Sequence, residues 1–191
     1  MKKSKIIMSA LLVLALVVSA FLGPESLAAS KNRAAGKAFA NALSEGQIKY
    51  GSSATYSIGD MDGDGVKDLL VVTKKSAKVY VYKSGKVKRI LRYIPEYSMG
   101  YDTDKKVFWE TGEGDGGWAI AHTLKDGKLV EKYRYYSELG SGTTARYYYR
   151  KAGKDAKSIT KKKYTKVRSR AFSFQKEAKK KELIEILNAL K

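Results

Sequence analysis

Acidic residues with a regular spacing dominate one short stretch of the chain, the segment GDMDGDGVKDLLVV at positions 59–72. A cation of calcium's size takes about six to eight oxygen ligands at roughly 2.3 to 2.6 Å, and aspartates at alternate positions of a tight loop supply them. Gly65, at the sixth loop position, permits the sharp turn that brings the next carbonyl inward. Asp68, at the ninth, can bind directly or through water. The spacing therefore predicts a calcium site with these ligand residues: Asp60, Asp62, Asp64, Val66 and Asp68.

The residues on either side of this loop predict strands. An EF-hand needs a glutamate at its twelfth loop position and a helix after it, whereas Val71 occupies that position here. The run 69–72 is fully apolar, as in a buried strand, and residues 55–58 alternate as a half-buried strand does. A bare Asp-Gly turn is the alternative, because both residue types favour turns without metal. Four carboxylates this close would repel one another without a cation, which favours calcium.

The same motif, Gly-Asp-Met-Asp-Gly-Asp-Gly-Val-Lys-Asp-Leu-Leu-Val, resembles the calcium loop of FG-GAP and VCBS-type repeats, which occur in integrin propellers and many bacterial secreted proteins. It also resembles secreted, tyrosine- and lysine-rich proteins of Gram-positive bacteria that carry one such EF-hand-like loop at the start of a β-meander. The similarity covers about residues 56–73, and the chain has one good copy of the motif. The resemblance implies an extracellular location and calcium binding through Asp60, Asp62, Asp64, Asp68 and the carbonyl of Val66.

The N-terminus has the three-part organisation of an export signal. Three lysines among the first five residues form a charged region, and residues 6–22 are almost wholly apolar. A Gly-Pro pair then predicts the end of the apolar helix, and small residues predict cleavage after Ala28 or one residue later. Residues 1–29 are therefore interpreted as the signal peptide of a secreted protein. The alternative is an uncleaved anchor, since the apolar run is close to the lower length limit of a spanning helix.

Charge and cysteine content narrow the classes of partner. The chain carries a formal charge of +19, and since its first 29 residues hold three Lys and one Glu, the remainder carries +17. This imbalance favours polyanions, which for an exported bacterial protein are anionic cell-wall polymers or lipid headgroups. No nucleic-acid-binding motif is visible, which argues against a specific nucleic-acid partner. The absence of cysteine excludes a disulfide scaffold and a lipobox-anchored lipoprotein.

The patterns along the chain predict an α+β fold, mainly an antiparallel β-meander that forms a blade-like or curved sheet. An alanine-rich helix is predicted over residues 34–43, ending in the segment 44–46. Strand patterns then recur about every ten residues from 78 to 150, which predicts one continuous antiparallel sheet. Hairpin turns are expected at three places: Ser84-Gly85, Asp102 to Asp104, and Asp126-Gly127.

The C-terminal segment 158–191 is predicted to be basic and helical. Ser158 is the expected N-cap of a helix reaching Arg168, and Ser173 that of a second helix reaching Leu190. The apolar stripe of the second helix is barely two turns long, which favours docking on the domain over a membrane-surface helix. The predicted organisation is a signal peptide at 1–29, a calcium-loop β domain with an N-terminal helix at 30–157, and this segment packed on the domain.

Two further patterns each have a functional and a purely structural interpretation. Glu113 and Asp115 lie on a glycine-rich bend that could complete a second cation site, but turns of this composition are commoner without metal. The tyrosine-rich stretches 133–136 and 147–149, with Trp109 and Trp118, predict either an exposed platform for a sugar or peptide or cross-strand pairs that stabilise the sheet. The second interpretation is favoured, because aromatic residues are common in strands.

Catalysis has few candidate residues. His122, the only histidine, lies in a predicted strand, and no cysteine nucleophile or triad motif is present. A carbohydrate-active enzyme would need a pair of catalytic carboxylates, but calcium binding explains the closely spaced aspartates of this chain better. The leading hypothesis is therefore a secreted, non-enzymatic, calcium-binding β domain that acts as an extracellular binding or adhesion module, or as an envelope-associated one. The alternative is a charge-driven binder of polyanions, wall polymer or nucleic acid, in which calcium is only structural. No stable transmembrane span is expected after signal cleavage.

Overall fold

A computed structural model describes residues 24–51, 53–96, 98–113, 116–139, 145–174 and 176–177, with positions 183, 185 and 187. Most of the predicted signal peptide, residues 1–23, lies outside the described residues. Helix α1 spans Pro24–Ser44, so the proline of the predicted helix break is itself the first residue of a helix. The fixed φ of proline suits the first helical turn, where its missing N–H costs nothing. The predicted cleavage after Ala28 or Ala29 falls within the first turns of α1.

Helix α1 buries one face, on which Ala35, Phe39 and Leu43 are each 1% exposed. The four-residue spacing of these side chains places them above one another on the helix. The helix ends at Ser44, and Gly46 follows with a φ of +75°, so the predicted end is confirmed while the predicted start at residue 34 is wrong. The left-handed residue after the last turn is a common helix terminator.

The antiparallel meander is confirmed, within an α+β fold. Its strands in the described residues are β1 Thr55–Gly59, β2 Asp68–Thr73, β3 Ser76–Lys83, β4 Lys86–Tyr93, β5 Ser98–Asp102, β6 Val107–Gly112, β7 Trp118–Lys125, β8 Lys128–Leu139, β9 Ala145–Lys151, β10 Lys157–Ser158 and β11 Lys176–Glu177. Helix α2, Lys161–Ser173, lies between β10 and β11. All pairs are antiparallel.

The expectation of one continuous sheet is wrong, because the meander divides into two. The first sheet has the order β11-β1-β2-β3-β4 and the second the order β10-β9-β8-β7-β6-β5. The division falls at the connection between β4 and β5, which contains the buried Pro95. Proline has no N–H to contribute to a ladder, so pairing stops there and the chain crosses to a second layer. Two stacked layers also bury both faces of the first sheet.

Strand β2 shows how the layers share the core. Leu69 and Val71 face α1, whereas Leu70 and Val72 face the second sheet, and all of them are at most 5% exposed. A strand that is buried on both faces has apolar residues at consecutive positions in its sequence. Helix α2 covers the far side of the second sheet, where Ala171 packs with Trp109. The order of layers is therefore α1, first sheet, second sheet, α2.

The hairpin turns follow the sequence closely at two positions. Asp126 and Gly127 have φ angles of +50° and +72°, and Ser84 and Gly85 have +53° and +76°. Positive φ at both central residues is the signature of the type I′ turn, which matches the twist of the flanking strands. All three predicted hairpins are confirmed, and at these two positions the predicted residues form the turn. In the third, between β5 and β6, the left-handed residue is Lys106, with a φ of +50°.

The C-terminal segment departs from the predicted pair of helices. Ser158 belongs to β10, and the N-cap of α2 is Thr160, whose hydroxyl accepts a hydrogen bond from the backbone N–H of Lys163 at 3.3 Å. Helix α2 continues to Ser173, the predicted start of the next helix, and β11 then pairs with β1. An unpaired edge of the first sheet explains this, because its backbone groups need partners. Helical Leu183 and Leu187 are buried in the α1 core.

Candidate metal centre

The predicted calcium loop connects β1 to β2 at residues 60–67. Gly63 and Gly65 have φ angles of +84° and +82°, which residues with a Cβ rarely adopt. These two glycines reverse the chain within a few residues, as predicted for Gly65. The reversal brings Asp60, Asp62 and Asp68 together, so that one carboxylate oxygen from each lies within 4.8 Å of the others.

Asp68 is the buried member of this group. It is 1% exposed, and its Oδ2 accepts hydrogen bonds from the backbone N–H groups of Met61 at 2.8 Å and Asp62 at 3.2 Å. Its Oδ1 is also buried and has no hydrogen-bond partner. Burial raises the pKa of Asp68 to about 7, and the charges of Asp62 and Asp64 act in the same direction. A buried carboxylate oxygen without a donor is costly in the ionised form, and either a proton or a nearby cation offsets that cost.

The other carboxylates are oriented by the loop's own backbone. Oδ1 of Asp60 accepts from the N–H of Gly63 at 2.8 Å, and Oδ1 of Asp62 accepts from that of Asp64 at 3.2 Å. Oδ1 of Asp64 accepts from the N–H of Val66 at 2.9 Å. Such side-chain to backbone bonds are usual where aspartate supports a turn. One oxygen of each carboxylate is thereby held in place, and the second remains for a cation.

Two lysines face these remaining oxygens. Nζ of Lys83, at the end of β3, lies 2.7 Å from Oδ2 of Asp62 and 3.9 Å from Oδ2 of Asp64. Nζ of Lys106, in the turn between β5 and β6, lies 3.5 Å from Oδ2 of Asp60. The bond to Asp62 raises the pKa of Lys83. Both ammonium groups belong to exposed side chains, so they can move aside for an ion.

This donor set suits a hard cation. The candidate ligands are carboxylate oxygens without sulfur or imidazole, a set that suits hard cations such as calcium, magnesium or manganese. Asp64 lies outside the group of three, and its Oδ1 supports the turn. Val66 buries its side chain in the α1 core at 6% exposure, which anchors the loop where its carbonyl was predicted to bind. Ligation by Asp64 and Val66 stays a prediction.

The sequence did not indicate the contacts that hold this loop from outside. The side-chain Oδ1 of Asn32, on α1, accepts from the N–H of Lys67 at 2.7 Å. The hydroxyl of Tyr101, on β5, donates to the carbonyl of Asp60 at 2.6 Å. Gly59 is required beside that ring, because a Cβ there would lie 2.7 Å from Cε1 of Tyr101. Helix α1 and the second sheet therefore both support the loop.

The glycine-rich bend that carries Glu113 and Asp115 contacts helix α2. Glu113 is exposed, and Asp115 lies outside the described residues. The hydroxyl of Tyr164, on α2, donates to the carbonyls of Gly116 at 3.0 Å and Gly117 at 2.6 Å. The described part of the bend is thus fastened to α2 through its backbone.

The tyrosine-rich strands divide between the two faces of the second sheet. Tyr133 and Tyr135 pack around the fully buried Trp109 beneath α2, with ring centroids 5.5 and 6.3 Å from it. On the other face Tyr136 and Tyr148 are half-buried and stack at 5.3 Å. Stacking of cross-strand aromatic residues accounts for the first set. Tyr136, of the second set, also lines a groove on this face.

His122 is not isolated. Its Nε2 lies 3.1 Å from Oε2 of Glu110, which also accepts from the hydroxyl of Tyr93 at 3.0 Å. Oε1 of Glu110 accepts from the N–H of Glu96 at 2.8 Å. Glu110 is 3% exposed and both of its oxygens are occupied. A carboxylate with this many partners joins the two sheets, and its geometry is that of a structural network.

Comparison with protein-family models, curated proteins and solved structures found no match to this chain. In the part of the chain described here, no helix has the length and apolar character needed to cross a membrane.

Proposed function

We propose that this chain is a secreted, non-enzymatic, calcium-binding β domain that acts as an extracellular binding or adhesion module at the cell envelope. The calcium ion would be held by Asp60, Asp62 and Asp68, with Asp64 and the carbonyl of Val66 completing the set. The ion would join the two strands that flank the loop and the elements that contact it. Its role is stabilisation of the fold.

The observation that carries this proposal is the state of Asp68. One of its oxygens is buried and lacks a hydrogen-bond donor, while the carboxylates of Asp60 and Asp62 stand beside it. An acidic turn without this feature would satisfy its oxygens with water or backbone. A divalent cation would compensate all of these charges at once, and the ligand chemistry favours calcium.

Calcium titration tests the proposal. Extracellular sites of this kind bind at roughly 0.1 to 1 mM, so a tenfold excess over Kd stabilises the fold by about 1.4 kcal/mol. We expect calcium to raise the Tm of the wild type and to leave the Tm of Asp62→Ala/Asp64→Ala and of Asp68→Asn unchanged. Magnesium should substitute poorly, since it needs a smaller octahedral shell.

Asp155→Asn provides a matched control, because this aspartate is exposed in the connection after β9. It should respond to calcium as the wild type does. A calcium response that survives in Asp68→Asn would place the ion elsewhere, and no calorimetric binding in the wild type would reject the calcium proposal.

A second candidate, charge-driven binding of a polyanion, is favoured by strand β4. This edge strand exposes four basic side chains and contains no acidic residue: Lys86, Lys88, Arg89 and Arg92. Among the described residues, none of the four forms an ion pair with a carboxylate. Positive side chains on an edge also prevent strands from pairing with other molecules, which is the purely structural explanation.

Salt dependence separates these explanations. Binding of an anionic wall polymer through β4 should weaken linearly in log affinity with log salt, and the slope should fall in a variant with all four residues changed to Gln. A parallel variant in which Lys161, Lys162 and Lys163, three exposed lysines in the first turn of α2, are changed to Gln tests the basic C-terminal segment. The other predicted basic cluster, 179–181, lies outside the described residues. Retention on cell walls that is independent of salt would reject a charge-driven role.

A further inference from the structure

The second sheet carries a groove on the face opposite α2. The groove has a volume of about 550 Å³, and its lining includes Trp118, Tyr136, Arg134 and Arg150. Glu96, from the connection between the two sheets, forms part of its wall. Trp118, Arg134, Tyr136 and Arg150 are all half-buried here.

The strand register aligns side chains in two rows, of which Trp118, Tyr136, Arg134 and Arg150 line the groove and Tyr148 lies beside it. Trp118 lies opposite Tyr136, and Tyr136 lies opposite Tyr148, so three aromatic side chains cross β7, β8 and β9 side by side. Arg134 and Arg150 are partners in the next row on the same face. Side chains two residues apart on a strand share a face, so the aromatic row and the guanidinium row are adjacent.

The guanidinium row is partly neutralised and held in position by one shared carboxylate. Nη2 of Arg134 lies 2.9 Å from Oε2 of Glu131, and Nη2 of Arg150 lies 3.3 Å from Oε1 of the same carboxylate. These arginines lower the pKa of Glu131, against the opposing effect of its burial. Since each guanidinium has five N–H donors, donors remain beyond those that Glu131 receives. Glu96 and Glu138 add acceptors to the lining.

We infer that this groove binds an uncharged saccharide, such as a segment of a neutral glycan. Aromatic rings offer apolar surface to the C–H face of a sugar ring, while the arginine donors and glutamate acceptors match its hydroxyl groups. A phosphate polymer fits less well, because the arginines already share a carboxylate and two further glutamates line the groove. The inference rests on the proposed role as an extracellular binding module, but it does not depend on calcium.

An oligosaccharide array tests this inference on the secreted chain. The array carries neutral hexose and N-acetylhexosamine oligosaccharides, with sulfated and phosphorylated ones for comparison. We expect binding to neutral members that persists in high salt. The best-bound member is then titrated calorimetrically against Tyr136→Ala, Tyr148→Ala and Arg134→Lys, each of which should weaken binding by about tenfold, the effect of losing one good contact. Phe172→Ala is the control, since this exposed ring lies on α2, across the sheet.

Tryptophan fluorescence keeps the test decisive if an alanine variant fails to fold. Trp109 is fully buried and Trp118 lines the groove. Saccharide binding should therefore change the tryptophan emission of the wild type, whereas the emission of Trp118→Phe, which comes from Trp109, should not change. Absence of binding across the array, binding only to the charged members, or equal affinity in Tyr136→Ala would overturn the inference. Calcium binding is measured separately, so its failure would leave this result unaffected.

Discussion

The ammonium of Lys83 lies 2.7 Å from Oδ2 of Asp62, so a cation of the protein itself faces the proposed metal site. This lysine is the last residue of β3, whereas the aspartate belongs to the loop between β1 and β2. A lysine at this position partly compensates the carboxylate charge in the absence of metal. It would also oppose a divalent ion by direct repulsion.

Replacing this lysine should therefore strengthen calcium binding. Lys83→Gln removes a unit charge from beside the site, and we expect roughly a threefold to tenfold lower calcium Kd, as for one charge near an exposed site. Lys106→Gln should have a smaller effect, because its Nζ is 3.5 Å from the nearest carboxylate oxygen. Isothermal titration at low ionic strength measures both. Lys86→Gln, across the hairpin from Lys83, is the control, and an equal Kd in Lys83→Gln and Lys86→Gln would contradict competition.

Acid should weaken the junction between the sheets through Glu110. Burial alone would raise the pKa of Glu110, but hydrogen bonds from His122, the Glu96 backbone and Tyr93 outweigh it and hold the pKa below the ordinary value of 4.5. A carboxylate whose folded pKa is depressed stabilises the fold fully above its unfolded pKa, and this contribution is lost as the pH falls below about 4.5.

Urea unfolding between pH 7 and pH 3 checks this expectation. Glu110→Gln should lower the free energy of unfolding at pH 7 by about 1 to 3 kcal/mol, the cost of a disturbed buried hydrogen-bond group. The variant should also lose less stability than the wild type on acidification. Glu113→Gln, at an exposed position, should follow the wild-type curve. Parallel pH curves for Glu110→Gln and the wild type would show that Glu110 does not carry the acid sensitivity.

The first turn of α2 opposes the helix dipole. It begins with three exposed lysines and contains no acidic residue. Lys161→Glu or Lys162→Glu should stabilise the fold by about 0.3 to 1 kcal/mol, since negative charge is favourable at a helix N-terminus. Lys163 is left unchanged, because its ammonium lies 5.9 Å from the ring centre of Tyr149. Lys154→Glu, in a connection, is the control. Thermal unfolding at low salt measures the gain, and an equal gain in Lys154→Glu would point to net charge instead of the dipole.

Export should remove the first residues of the chain. The charged region, apolar run and small-residue site predict a mature N-terminus near Ala29 or Ser30. Helix α1 would then begin within its present first turns and keep its buried residues Ala35, Phe39 and Leu43. N-terminal sequencing of protein from the culture medium checks this. A secreted product that begins at Met1 or Lys2 would show that the segment is not a cleaved signal.

Local patterns determined the parts of this fold that depend on near neighbours in the chain. The aspartate spacing around Gly65 predicted the loop, and the Asp-Gly pair predicted the turn between β7 and β8, because turn geometry is set by a few consecutive φ angles. The alternation and apolar runs predicted most strands. These features involve residues so close in sequence that their relative positions are nearly independent of the rest of the chain.

Only the tertiary structure decided how the pieces meet. Asp102, predicted as a turn residue, is fully buried and pairs with Arg170 of α2 at 3.0 Å, across a sequence distance that no local pattern spans. The same holds for Lys83 beside Asp62 and for the two rows of the groove, which depend on strand register. The division into two sheets and the use of Lys176–Glu177 as a strand follow from pairing between distant segments. Pairing of this kind is selected by the burial and hydrogen bonding of the whole domain, because each edge and each apolar face requires a partner.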